Sequence, residues 1–221
     1  MLALLNFGQR ETMRDLVRFS ELLRHDLLPL LRGQGFEASE GVFRRLKDER
    51  IDILSLLGSR LGRRCCLNLG VHYSFLPPAG RPPGATNDSR VLREHDCAFR
   101  ERLREAGESD HWWSYGVDEA TAEASAAALV DAYRRRAPLF FARFEPFPAV
   151  FDEVTPAQVE AGDFVATPVY PSRLHTALTM ARIMKRAGRL DRCREFAEVG
   201  LRNAGCPART REELEQLRSL G

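Results

Sequence analysis

The stretch from Gly35 to Ser74, GFEASEGVFRRLKDERIDILSLLGSRLGRRCCLNLGVHYS, constrains the fold of this chain more than any other. It divides into three alternating runs, about Gly41–Lys47, Arg50–Leu57 and Arg63–Tyr73. Alternation with a period of two marks a half-buried strand. In the third run Cys65, Leu67, Leu69 and Val71 share one face, and Arg64, Cys66, Asn68, Gly70 and His72 share the other. In the first run Val42, Arg44 and Leu46 alternate with Phe43, Arg45 and Lys47. The middle run is apolar almost throughout, as a central strand covered on both faces must be. The breaks KDER and GSRLG are short enough for hairpin turns, so the strands are expected to be antiparallel. Three strands bury little unless a helix covers them.

Two segments can supply that cover. Arg10 to Arg32 places Leu16, Phe19, Leu23, Leu27, Leu30 and Leu31 at helical spacing, with Thr12 and Asp15 as the expected cap and Gly33 as the stop. Asp118 to Arg136 reads as a second long helix, capped by Asp118, with Ala122, Ala126, Leu129, Val130 and Tyr133 on its apolar face. Arg134–Arg136 fall where they complement the negative end of its dipole. Ala137–Phe151, broken by Pro138, Pro146 and Pro148, is expected to form a short helix and then an extended crossing.

Between the meander and the second helix lie two ambiguous stretches. Phe75–Arg90 contains four prolines and two glycines, too long for a plain connector. It reads as a surface excursion, or as a lid or partner-binding loop. Residues 97–105 fit a strand or a short helix. A fourth strand is preferred, because it would cover an open sheet edge. Trp112 and Trp113 are adjacent, so on extended backbone one ring goes inward and the other outward.

From Thr155 the pattern is helical. Thr155–Pro156 is a cap followed by a first-turn proline. Leu174–Ala187 and Leu190–Asn203 form a hairpin about Gly188, and Thr210 with Glu213 reads as a capping box for a last helix. The hairpin resembles one tetratricopeptide unit, with Ala181, Cys193, Ala197 and Gly200 at its small or packed positions, but without the usual tryptophan, tyrosine and proline. Arrays of that kind need about three units, so an appended hairpin is the preferred account.

The expected fold is therefore α+β: an antiparallel sheet of about four strands, packed by the N-terminal helix and the second long helix. Residues 1–150 form the sheet domain and 151–221 a helical C-terminal unit. At 44% hydrophobic, 29% charged and a net charge of +2, the chain is an ordinary globular one with no strong electrostatic case for nucleic acid. It has no apolar run of about 20 residues to cross a membrane. Five cysteines without a C-x-x-C pair read as reduced thiols of a cytoplasmic protein.

The ordered features LLPLLRGQGF, VFRR, LNLGV, DCAFRERL and the tandem WW before a helix carry a resemblance. Over about residues 16–150 the chain resembles an uncharacterised bacterial family, Domain of Unknown Function 4304. The resemblance implies an α+β fold and no established activity, so no catalytic residue is transferred from it.

No nucleotide-binding, hydrolase or metalloprotease motif is present, and no cofactor is expected. Two residue sets remain. Arg44, Arg100 and Arg102 with Trp112 and Trp113 could bind a planar anionic ligand or an acidic partner protein. The bland account is that the arginines lie over the sheet while the tryptophans pack beneath. The second set is Glu94, His95, Asp96 and Cys97 with His111 and His72, residue types used for acid–base work or metal ligation. The bland account there is local hydrogen bonding at a strand entry. The preferred function is a non-enzymatic cytoplasmic binding or interaction protein, for example an adaptor or a toxin-neutralising protein. The alternative is a small hydrolase-like enzyme using His95, Asp96 and His111.

Overall fold

A computed structural model describes residues 7–39, 41–59, 62–79, 88–104, 110–162 and 172–220. Its first element, α1 (Phe7–Gly33), begins earlier than the apolar stripe requires. Thr12 therefore lies inside the helix rather than at its cap. Asp15 is instead buried, with its carboxylate 3.0 Å from Arg18 and 2.6 Å from Arg63. The sheet follows: β1 (Glu37–Ser39), β2 (Val42–Lys47), β3 (Arg50–Gly58), β4 (Arg64–Tyr73), β5 (Phe99–Arg102) and β6 (Trp113–Ser114). The strand order is β1-β2-β3-β4-β5, with β6 also on β4, and all pairings are antiparallel. Residues 97–105 thus contribute a strand, as the open edge of β4 demanded. Two strands of two or three residues, β1 and β6, extend the sheet beyond the four expected.

One face of the sheet carries the main core. Leu54, Leu67, Leu69, Val71, Tyr73 and Phe99 meet Phe19, Leu23, Leu27 and Leu31 of α1 and the apolar side of α2 (Glu119–Ala142). Asp118 caps α2, its side chain accepting from the Thr121 amide at 2.8 Å. The helix continues through Pro138 instead of stopping near Arg136. Burial of Ala137, Phe140 and Phe141 outweighs the missing backbone bond. Arg134–Arg136 consequently sit mid-helix and not at its negative end.

The other sheet face is covered only in part. Val42, Ile51 and Ile53 pack there against Leu92 and Cys97, beside a single turn of 3₁₀ helix at Glu94–Asp96. That turn rests directly on Gly70. A Cβ at Gly70 would lie 2.6 Å from Cys97 Sγ, so only glycine admits this approach.

The C-terminal helices are α3 (Pro156–Ala161), α4 (Arg173–Arg186), α5 (Leu190–Leu201) and α6 (Ala208–Arg218). Thr155 caps α3 with Pro156 in its first turn. Gly188, at φ +70°, turns the chain between α4 and α5. The expected capping box at Thr210 does not form, because Pro207 begins α6 one turn earlier. Glu213 instead pairs with Arg182 of α4 at 2.7 Å. One contiguous set of buried side chains runs from the sheet through Tyr73, Phe144 and Phe151 into Leu174, Phe196 and Leu217.

Candidate functional site

The edge of β4 is shared by two strands. β5 pairs with Asn68–Val71, and β6 pairs with Arg64 and Cys65. The chain between them brings Trp112 to the junction. Trp113, in register with Cys65, turns into the helix-covered core and is 2% exposed. Trp112 is half-buried, and two guanidinium groups lie over its ring, those of Arg64 and Arg102, each 5.0 Å from the centroid. The two charged carbons are therefore at most 10 Å apart.

Local geometry fixes this arrangement. Arg102 Nε donates to Asn68 Oδ1 at 3.2 Å, across the β4–β5 pair, and Nη1 donates to Asp110 Oδ1 at 2.7 Å. Trp112 Nε1 donates to the other Asp110 oxygen at 2.8 Å. Asp110 thus holds the ring and one guanidinium together. Arg64 is exposed, and no carboxylate among the described residues pairs with it. Arg64, Asn68 and Arg102 share the partly covered sheet face with Ser55, Leu57 and Cys66, by the register of β3, β4 and β5.

Burial raises the Asp110 carboxyl, but hydrogen bonds from Arg102 and Trp112 and the nearby Arg102 charge outweigh it, and the group sits below the usual carboxylate range. The thiols here are passive. Burial and the Cys66 neighbour push Cys65 up to about 12, and burial also raises Cys66. Neither is a thiolate near neutral pH, so neither is a nucleophile.

The other residues singled out in the sequence are dispersed. Arg44 is 8% exposed, and its Nε donates to the Leu92 carbonyl at 2.9 Å. It pins the segment carrying Leu92 onto the sheet. Arg100 shares its face, three strands across in the row Arg44–Ile53–Gly70–Arg100, and donates to the His95 carbonyl at 3.1 Å. Asp96 is buried and serves the 3₁₀ turn, accepting from the Arg93 amide at 2.9 Å. His95 is exposed, with Nε2 3.9 Å from Asp96. His111 stacks edge-on against Trp113 at 4.4 Å. Trp113 pairs with Cys65, whereas the turn holding Asp96 rests on Gly70, five residues along β4 and on the opposite face. His111 thus rests on Trp113, while the His95–Asp96 pair sits on the turn over the other face. Buried His72 bridges two backbone groups, with Nε2 3.0 Å from the Leu76 carbonyl and Nδ1 accepting from the Ala98 amide at 3.3 Å. Among the described residues no three His, Cys, Asp or Glu side chains group closely enough to hold a metal ion. The possible lid within Phe75–Arg90 falls mostly on residues 80–87, outside the described residues.

The sequence reading missed Arg64, Asn68 and Asp110 as members of the site. Arg64 and Asn68 were legible, since the alternation of β4 sets both on the open face. Asp110 was not, because only folding of the β5–β6 connection brings it to Arg102.

Residues 27–143, just over half of the chain, match the family described as Domain of unknown function (DUF4304). The chain belongs to this family. The DUF4304 match runs from the last third of α1 to the end of α2, so it contains all six strands and the whole arginine–tryptophan junction. It begins and ends inside the 16–150 span of the motif resemblance and omits α3–α6. No curated protein and no solved structure matches the chain. No helix among the described residues is long and apolar enough to cross a membrane.

Proposed function

We propose that this DUF4304 protein is a non-enzymatic binding protein that recognises an acidic surface of a partner protein. The observation that carries this is the Trp112 ring with two arginines over it and Asp110 at its Nε1 edge, on the sheet face away from the long helices. Two guanidinium groups against one carboxylate leave one positive charge. The half-buried indole adds apolar contact area and holds both arginines in place. Tryptophan and arginine are the side chains that dominate binding energy at protein interfaces. All five cysteines are free thiols. Their state supports placing the protein in a reducing compartment such as the cytoplasm, as part of the same proposal.

The test is calorimetric titration of the full chain with a deca-glutamate peptide and, in parallel, a deca-lysine peptide. Saturable binding of the glutamate peptide alone is expected, weakening as salt rises. Charge reversal by Arg64→Glu should abolish it. Equal binding of both peptides, or none at low salt, would remove the proposal.

A further inference from the structure

We infer that the outer edge of β5 receives an acidic, extended segment of the partner as an added antiparallel strand; this rests on the binding function proposed above. β5 ends the strand order and pairs on one side only, with β4. The Leu103 amide donates to the Leu67 carbonyl at 2.8 Å, which continues the β4–β5 register by one pair. Alternation along the strand then turns the backbone groups of Phe99 and Glu101 towards β4 and those of Arg100 and Arg102 away from it. Among the described residues, no hydrogen bond takes the amide or the carbonyl of Arg100 or Arg102. Both residues are partly exposed. Such a row of unmet backbone groups is a template for a further strand.

Charge decides which strand. Arg100 and Arg102 stand on the same sheet face, and no carboxylate among the described residues pairs with Arg100, whose Nη1 donates to the His95 carbonyl. In an added antiparallel strand, the residues opposite the two arginines lie on that face, two apart in sequence. Opposite charges at such positions attract and like charges repel. A second copy of β5 docked symmetrically about Glu101 would set Arg100 against Arg102, so the edge rejects its own copy. It accepts a segment with Glu or Asp at alternate positions. The intervening residue of that segment faces Glu101, already paired with Arg143, and is therefore not acidic. Arg102 belongs both to this edge and to the Trp112 junction, so one segment engages both.

The experiment uses a decapeptide of alternating Glu and Thr, and two forms of it methylated on backbone nitrogen, one at the Glu residues and one at the Thr residues. Side chains and charge are the same in all three. In the antiparallel register the Glu amides face β5 and the Thr amides face solvent. Calorimetric titration into the full chain should find the Thr-methylated form within about threefold of the parent peptide and the Glu-methylated form weaker by roughly tenfold or more. Equal binding of the two methylated forms, or the reverse order, would overturn strand addition. If the alternating peptide fails while deca-glutamate binds, strand addition falls and the proposed function survives. If deca-glutamate fails as well, both fall.

Discussion

Asp52 has no exposed surface, yet two arginines converge on it. Arg45 donates from Nε and Nη2 at 3.0 and 2.7 Å, and Arg50 Nε lies 2.9 Å from its other oxygen. Arg50 also reaches the Phe144 carbonyl at 3.2 Å and Glu145 at 2.6 Å, tying β3 to the end of α2. Breaking a buried ion pair from one side leaves a charge without a counterion. Asp52→Asn should therefore lower stability by about 3–5 kcal/mol, read from chemical denaturation. Asp110 makes a second prediction, with the sign set by its depressed pKa. The unfolded carboxyl takes up its proton first, near pH 4, while the folded one resists until lower pH. Its contribution is complete above that range and is lost as pH falls through the folded value. Melting temperatures measured from pH 7 to 3 should decline less steeply for Asp110→Asn than for the wild type.

At the scale of elements, the 3₁₀ turn on β4 is the contact most sensitive to a single methyl group. Gly70→Ala would drive a Cβ into Cys97 Sγ. It should cost about 1–3 kcal/mol, and Cys97→Ala in the same chain should restore most of the loss. Denaturant midpoints of the single and double variants decide the point. This contact was invisible in the sequence, where Gly70 was merely one polar-face position in an alternating strand. The meander itself was legible, because β2, β3 and β4 each satisfy a period of two and short turns fix their register. The helix ends were less so. Pro138 and Thr210 obey local rules for a stop and a start, but burial of Phe140 and Phe141 and the position of Pro207 override them. For the site, Arg102 and Trp112 were found from residue type and alternation. Asp110 was not, since a hydrogen bond across a connection exists only in three dimensions.

Across the whole molecule, the sheet and the C-terminal helices share one buried set of side chains. Phe147 and Phe151 pack on Tyr73 at ring distances of 5.1 and 5.8 Å. Arg189 pairs with Asp152 at 3.1 Å, and Arg192 donates to the Asp152 carbonyl. Units joined in this way should unfold together. Tryptophan emission, which reports only the sheet end, and far-ultraviolet circular dichroism, dominated by the helices, should give coincident denaturation curves. Two separated transitions would mean that the helical unit holds itself together. The opposed orientation of Trp112 and Trp113 also equips the protein with a built-in optical gauge. Replacing Trp113 by phenylalanine would leave one surface chromophore, in contact with Arg64 and Arg102, whose colour registers any visitor to that spot without an attached dye.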